Sequence, residues 1–177
     1  MHIKNNSIQS TGSHLLLLSP TMAASRDCPC HSGLRYAACC GPLHAGTRPA
    51  ETPQALMRSR FAAFALGRGD YLFDTLARTH EDSSLPRDEA ARELSRVRER
   101  RRFLGLSILH AEADEVLFFA RIFERGEDHS FAELSTFVRE DGKWRYAHGI
   151  DVPRARLPED PTKLTRTAFL TIANANA

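Results

Sequence analysis

The chain has 177 residues, of which 42% are hydrophobic and 26% charged, and its net charge is +2. This length and composition are typical of one globular domain with a small appendage, with enough apolar side chains for a core. The small net charge excludes a strongly basic or acidic chain, and by itself it indicates no nucleic acid, membrane surface or acidic partner.

Residues 1–24 contain one short apolar run, Leu15 to Leu18. An export signal needs about 7–15 apolar residues and a membrane span about 20. The run is too short for either, so we expect a cytoplasmic protein without membrane contact. The polar composition of 1–24 predicts a disordered segment. Met22, just ahead of the cysteines, is the alternative to Met1 as the true start.

All four cysteines lie in the next stretch, with the spacing C-x-C-x8-C-C: Cys28, Cys30, Cys39 and Cys40. Four thiolates complete a tetrahedral Zn²⁺ shell, and a reducing cytosol favours metal binding over disulfides. Disulfides between such close neighbours would be strained, and iron–sulfur clusters use other spacings; both stay open as alternatives. A complete shell leaves no position for a catalytic water, so the predicted zinc is structural.

The residues between the cysteines predict a short helix. Ser32 is a candidate N-cap for a helix over 34–39, and Gly41 can end it in the left-handed conformation. Arg26 and Arg35 are placed to offset the negative charge of the four thiolates. His31 and His44 are interpreted as solvated loop residues.

Three helices are predicted after a linker over 43–50. The first starts at Thr52 as N-cap with Pro53 at its first position, and Met57, Phe61 and Phe64 share one apolar face. Gly67 and Gly69 are predicted to end it. A second helix runs from a cap at Asp70 to about residue 77, and a third covers 87–101.

The pattern then changes to that of β-strands, predicted over 103–112, 115–124, 130–140 and 143–149. Short connections indicate an antiparallel meander, and helices followed by a curved four-stranded sheet define an α+β, cone-shaped domain. The second strand is apolar on both faces. One face can pack on the helices, while the other needs a cover, predicted to be a homodimer partner or the zinc segment. A short helix is predicted near 165–173.

The run 96–102 is strongly basic, with five arginines: Arg96, Arg98, Arg100, Arg101 and Arg102. A solvated helix face is the favoured interpretation. Contact with RNA or an acidic protein is the alternative, and no aromatic residues alternate with the arginines to support it.

The pattern C-P-C-x-S-G-x-x-Y-x-x-C-C over 28–40 resembles the SEC-C motif of the SecA translocation ATPase, whose usual form has Gly where this chain has His31. Together with LMRSRF (56–61), FARIF (119–123) and the E-x-S-x-F to W-x-Y-x-x-G block (133–149), it resembles the YchJ family. That family joins SEC-C to a nuclear-transport-factor-2-like (NTF2-like) domain. The resemblance implies a zinc-binding SEC-C segment over 26–45, an NTF2-like domain over 51–150 and a tail over 151–177. It also implies a protein partner, either a chaperone or the ribosome.

Domains of this cone shape often hold a pocket between helices and sheet. Alternation places Glu133 and Ser135 on one face of the third strand, together with Phe131 and Phe137. The same rule places Trp144, Tyr146 and His148 on one face of the fourth, and His80 is placed at the rim. These residues are candidates for a small-molecule site.

A purely structural interpretation of the same residues is that Glu133 forms an ion pair with Arg58 or Arg60. The sequence as a whole therefore predicts a non-enzymatic zinc-binding protein that docks a partner through its SEC-C segment. The alternative is an isomerase- or dehydratase-like enzyme, or a ligand-binding domain, that uses the pocket through Glu133, His80, Ser135 and Tyr146.

Overall fold

The computed structural model describes residues 27–175. The predictions for residues 1–24 and for Arg26 lie outside this range. None of the helices within it combines the length and apolar character that a membrane crossing requires.

Five helices and five strands follow one another within the described range. The helices are α1 (Gly41–His44), α2 (Pro53–Leu66), α3 (Gly69–Asp74), α4 (Arg87–Arg100) and α5 (Arg166–Asn174). The strands are β1 (Arg101–Glu112), β2 (Glu115–Glu124), β3 (Glu127–Asp128), β4 (Phe131–Glu140) and β5 (Lys143–Pro153). The predicted α+β class is confirmed, with β3 as a two-residue addition to the four expected strands.

The central helix α2 begins and ends where the sequence predicts. The Thr52 side chain accepts a hydrogen bond from the backbone N–H of Ala55 (3.1 Å), Pro53 occupies the first helical position, and Gly67 ends the helix with φ 66°. Gly69, by contrast, does not stop α2. It starts α3, with Arg68 and not Asp70 at the N-cap, and a Cβ there would lie 1.8 Å from the Ala91 carbonyl oxygen of α4. Glycine therefore lets α3 and α4 pack in contact.

The sheet is an antiparallel meander in the order β1-β2-β4-β5, with β3 paired to the end of β2. The expected turns are tight, and Ala113, Arg125 and Asp141 adopt positive φ in them. A bulge in β5 changes the predicted alternation: Phe137 pairs with Tyr146, but Thr136 pairs with His148. His148 is consequently exposed and does not share a face with Tyr146, which corrects the expectation for that residue.

Strand β2 carries apolar side chains on both faces, as predicted, and each face has its own core. The first core lies under α2 and contains Leu56, Met57, Phe61, Leu106, Val116, Phe118, Ala120, Ile122 and Phe137. The second contains Leu117, Phe119, Ala132, Leu134, Val152, Leu157, Leu164 and Phe169.

The cover of this second face corrects the prediction that the zinc segment lies over it. Leu157, Leu164 and Phe169 belong to the chain after β5, and Phe169 of α5 is completely buried. The helix predicted near 165–173 is present as α5, with the Thr165 side chain accepting from Ala168 N–H (3.2 Å). Because the chain covers its own sheet, the apolar face that motivated a homodimer is already filled.

Candidate metal centre and cavity

The four cysteine sulfurs converge on one point. Their Sγ atoms all lie within 4.8 Å of one another, with Cys30–Cys39 at 3.5 Å and Cys39–Cys40 at 3.8 Å. A tetrahedron with metal–sulfur bonds of about 2.3 Å has edges of about 3.8 Å. All four are free thiols, and these separations far exceed the ~2.05 Å of a disulfide bond. The cluster fits a four-coordinate metal ion.

The backbone around Cys28 and Cys30 forms a tight knuckle. The Cys28 N–H donates to the Leu34 carbonyl (2.8 Å), and the His31 N–H donates to the Cys28 carbonyl (3.0 Å). The backbones of Asp27 and Arg35 form an isolated antiparallel β-bridge. His31 has φ 56°, a left-handed conformation that favours glycine. This explains in physical terms why the usual SEC-C motif carries Gly at the position of His31.

The predicted helix over 34–39 is wrong in its details. The structure has a short 3₁₀ turn over Tyr36–Ala38 without a side-chain cap, and Ser32 instead places its hydroxyl 3.3 Å from the Cys39 sulfur. Gly41 does not end a helix but begins α1. Glycine is needed there because a Cβ would lie 2.8 Å from the Tyr36 carbonyl oxygen.

Two arginines that the sequence analysis did not single out supply charge near the cluster. Arg58 of α2 donates to the Cys30 carbonyl (2.9 Å) and Arg48 donates to the Cys39 carbonyl (3.3 Å). Arg35 is exposed. The two observed arginines tie the cysteine segment to the loop after α1 and to α2, and they place positive charge beside the thiolates.

The thiols themselves are strongly coupled. Hydrogen bonding with Cys30 raises the pKa of Cys28 to about 11, and hydrogen bonds from Cys28 and then Cys40 lower the pKa of Cys30. The pKa of Cys40 is raised, first by its hydrogen bond with Cys28. Four thiols this close together cannot all ionise unless a cation such as a bound metal ion offsets their charge.

His44 is a structural residue and not the solvated one that the sequence predicted. Its Nε2 donates to the Ser59 carbonyl (2.8 Å) and its Nδ1 accepts from the Tyr36 hydroxyl (2.9 Å). Burial lowers the pKa of His44, which favours the neutral ring that these two bonds require. The Ser59 hydroxyl continues the network to the Tyr71 hydroxyl (2.6 Å), so the cysteine segment is fastened to both α2 and α3.

A separate cavity of about 260 Å³ lies between α2, α4 and the sheet. Its walls are mainly apolar, and among its lining residues are Met57, Phe61, Phe64, Leu94, Val97, Phe103, Ala120, Ile122 and Phe131. Its polar lining includes Arg60, His80, Glu133 and Tyr146. Three of the four predicted pocket residues thus line one cavity, and the fourth, Ser135, is completely buried and hydrogen-bonded to Glu133.

Glu133 does not form the ion pair with Arg58 or Arg60 that the structural interpretation predicted. Its Oε1 accepts from the Ser135 hydroxyl (2.5 Å) and from the Tyr146 hydroxyl (3.1 Å). Burial raises the pKa of Glu133, because the charged carboxylate loses water that these two hydroxyls replace only in part. Burial, and after it the negative charge and hydrogen bond of Glu133, raises the pKa of Tyr146 above its ordinary value.

His80 lines the cavity, with its ring 5.5 Å from that of Tyr146. Its Nδ1 accepts the Asp82 N–H (3.1 Å), and burial lowers the pKa of His80. The ring is thus held as a neutral imidazole whose Nε2 carries the proton.

Sequence reasoning missed two functional candidates, Arg60 in the lining of the cavity and Gly149 beside Glu133. Arg60 is buried, donates through Nη1 to the Leu72 carbonyl (2.7 Å) and Thr75 hydroxyl (2.6 Å), and stacks its guanidinium 4.8 Å from the centre of the Tyr146 ring. Gly149 faces Glu133, and a Cβ there would lie 2.3 Å from the Glu133 Oε1. Arg60 follows Leu56 by four residues on the predicted helix, which was a sequence signal for its position. No sequence signal indicated the bulge that places Gly149.

The arginine-rich run 96–102 is largely engaged in local contacts. Arg96 pairs with Glu93 (2.5 Å), Arg98 donates to the Leu66 carbonyl (3.1 Å), and Arg101 donates to Glu124 (2.9 Å). These are the contacts of a solvated helix end.

Helices on one face of an antiparallel meander, preceded by a clustered four-cysteine knuckle, define an NTF2-like domain joined to a SEC-C motif. Models of both match this chain: the SEC-C motif over residues 27–42 and the YchJ middle NTF2-like domain over residues 52–149. The chain belongs to the YchJ family.

Individual relatives agree with this assignment. A UPF0225 protein of Deinococcus radiodurans is 44% identical over 122 residues, which cover 68% of this chain and 86% of the relative. The solution structure of a SEC-C motif-containing protein from Rhodopseudomonas palustris is 38% identical, with a TM-score of 0.60, and the match covers 70% of this chain and 97% of that one. A crystal structure of a SEC-C motif-containing protein from Psychrobacter arcticus shares the fold, with a TM-score of 0.54 at 20% identity over 68% of this chain and 80% of that one.

Proposed function

We propose that this protein is a non-enzymatic zinc-binding protein whose SEC-C segment is a rigid docking module on the NTF2-like domain. The observation that carries the proposal is the closed four-sulfur cluster, in which every Sγ lies within 4.8 Å of the others. Four converging sulfurs, with no carboxylate or imidazole among the candidate ligands of the described residues, are typical of structural Zn²⁺. The metal fixes the shape of the segment and does no chemistry.

The outer side of the knuckle is the proposed docking surface. Leu34 at its tip is 55% exposed, although it is a large apolar side chain, and Ala37 and Ala38 beside it are exposed as well. The inner side is fastened to α2 through Arg58 and His44. A rigid, zinc-fixed loop with an apolar tip is suited to a protein partner, and the resemblance to SecA-like SEC-C segments favours a cytoplasmic chaperone or the ribosome as that partner.

Metal analysis of untagged, reduced protein tests the zinc step. We expect about one zinc per chain in wild type and in Ala38→Ser, and a loss of zinc in Cys39→Ser. The Ala38 variant is a matched control because it adds a hydroxyl at an exposed neighbour without changing a ligand. Substantially less than one zinc per chain in the wild type would refute the proposal.

The docking step is tested by a different variant. Leu34→Asp should keep its zinc, since it alters only the exposed tip, but lose the partner captured by wild type. Capture that survives Leu34→Asp and chelation would show that the knuckle is not the contact surface. Glu133→Gln, which changes the cavity on the other side of α2, should leave capture unchanged.

A second candidate function is favoured by a separate observation, the cavity lined by Glu133 and His80. A half-buried carboxyl with a raised pKa, in the same cavity as an imidazole whose pKa is lowered, is an arrangement suited to binding small molecules and transferring protons. This function is ligand binding, with or without proton transfer, in the NTF2-like domain.

A further inference from the structure

The buried cation of the cavity, Arg60, has no carboxylate within ion-pair distance in the described part of the chain, although Glu133 interacts with it electrostatically at longer range. Its guanidinium is bonded to a carbonyl and a hydroxyl, both through Nη1, and it stacks on Tyr146. Glu133, which lines the same cavity, accepts its hydrogen bonds from Ser135 and Tyr146 instead. Within residues 27–175, no carboxylate forms an ion pair with Arg60.

Such an arrangement is unusual, because a buried charge is normally paired. Burial lowers the pKa of Arg60 only to about 10, so it stays positively charged at neutral pH. The N–H groups on Nε and Nη2 have no hydrogen-bond acceptor among the described residues, and Arg60 lines the cavity. The cavity therefore offers a largely buried cation with accessible spare donors, and such a group recognises a carboxylate.

The apolar lining and the volume of the cavity limit which carboxylates can bind there. Phenylalanine side chains form much of its wall, among them Phe61, Phe64, Phe103 and Phe131, and Phe64 and Phe103 are stacked with ring centres 6.0 Å apart. A cavity of about 150 Å³ is enough to hold benzene. The volume of 260 Å³ here leaves room for one ring and a carboxylate, but not for a nucleotide or a fatty acid.

We propose that this cavity binds a small aromatic monocarboxylate, with the carboxylate on the Arg60 guanidinium and the ring among the phenylalanines. Glu133 lies at the same polar end, and it can hydrogen-bond to the ligand carboxylate only as the protonated acid, because Tyr146 already donates its hydroxyl proton to Glu133. The inference names a ligand class for the second candidate function and rests on it; it is independent of the zinc centre.

The proposal is tested on the full-length, zinc-loaded protein with two probes of nearly equal shape, benzoate and benzamide. Titrations followed by ¹H–¹⁵N NMR and calorimetry should show benzoate binding tighter than benzamide by about tenfold or more, the worth of a charge-assisted hydrogen bond. The shifted amides should include those of cavity residues such as Ala120 and Phe131. This comparison needs no variant, so it stands even if a substitution at Arg60 prevents folding.

Variants locate the binding. Arg60→Met should lose benzoate selectivity, and Arg60→Lys should keep part of it, while Arg96→Met, outside the cavity, is the matched control. Val97→Phe adds a ring from the half-buried face of α4 into the cavity and should abolish binding of both probes.

Three outcomes would overturn the proposal. Equal binding of benzoate and benzamide would show a ligand cavity without the anion preference, which leaves the second candidate function standing. If neither probe binds, both this proposal and the second candidate function are refuted. Benzoate binding unaffected by Val97→Phe would place it elsewhere on the surface.

Discussion

Glu133 and Gly149 show how a single bulge determines the chemistry of this domain. Because β5 gains a residue between Tyr146 and His148, Gly149 lies opposite Ser135 and leaves space for the Glu133 carboxyl. The Tyr146 hydroxyl then reaches that carboxyl. A glutamate that strand alternation alone would place on a core face thus becomes a hydrogen-bonded, protonatable group at a cavity.

Replacing Gly149 with a larger residue should lower the stability of the fold, whereas the same change at another strand glycine should not. Gly149→Ala would bring a Cβ to 2.3 Å from Glu133 Oε1 and 2.8 Å from the Tyr146 hydroxyl, so we expect a loss of about 1–3 kcal/mol of stability. Gly105→Ala, whose Cβ meets Arg121 at an ordinary 3.5 Å, is the control. Urea unfolding measures both, and equal losses would contradict the proposed steric role.

The raised pKa of Glu133 predicts a pH dependence of stability. The folded state holds the proton more tightly than the unfolded chain, so the wild type loses stability as pH rises from about 4.5 through the folded-state pKa. Glu133→Gln cannot ionise, and its stability relative to wild type should therefore increase with pH across that window. Unfolding series from about pH 4 to pH 8 check this, with exposed Glu99→Gln as control; a flat difference would show that Glu133 titrates normally.

Among the elements, α5 and the chain before it cover the second face of the sheet. Val116, Phe118 and Ala120 of β2 face α2, while Leu117 and Phe119 face the C-terminal segment. The elements that cover the two faces lie more than fifty residues apart in sequence, before and after the sheet. Helix α5 should therefore stabilise the whole domain although the matched family region ends at residue 149.

Phe169→Ala tests this contribution of α5. Phe169 is completely buried against the second face of the sheet, so its truncation should cost about 3–5 kcal/mol. Thr167→Ala, on the exposed side of the same helix, should change stability little. Thermal and urea unfolding provide the measurement, and near-equal stability of the two variants would mean that α5 is not part of the core.

The secondary structure of the domain could be predicted because it depends on local signals. Thr52 and Pro53 start α2 and Gly67 ends it through their own backbone and capping preferences. The apolar pattern of β2 indicated that both of its faces are buried. What covers the second face could not be predicted, since Leu157 and Leu164 lie outside the helices and share no helical period with Phe169 of α5. The sulfur cluster was predictable from spacing alone.

The polar details were less predictable for a related reason. The contacts of His44 and Arg60 depend on partners at Ser59 and Tyr146, which only the packed fold brings near.

For the molecule as a whole, the cysteine segment forms a third, small core beside the two cores of the sheet. Cys28, Cys30 and Cys40 pack with Ala62 of α2, and this cluster is separate from the two larger ones. Since the metal is proposed to hold the segment, its removal should unfold residues 27–46 and leave the sheet folded.

Hydrogen exchange with and without a chelator measures this division. Chelation should strip protection from the Cys28 and His31 amides, which are bonded within the knuckle, while amides of β2 and β4 stay protected. Loss of protection throughout the sheet would instead show that the metal supports the entire fold.

The central claim is a closed tetrathiolate zinc site, and X-ray absorption at the zinc edge of the purified, reduced protein tests it most directly. The structure predicts one shell of four sulfur atoms at about 2.3 Å from zinc, with no nitrogen or oxygen neighbour. A shell that contains a water or histidine ligand, or fewer than four sulfurs, would contradict the claim and reopen the site to catalysis.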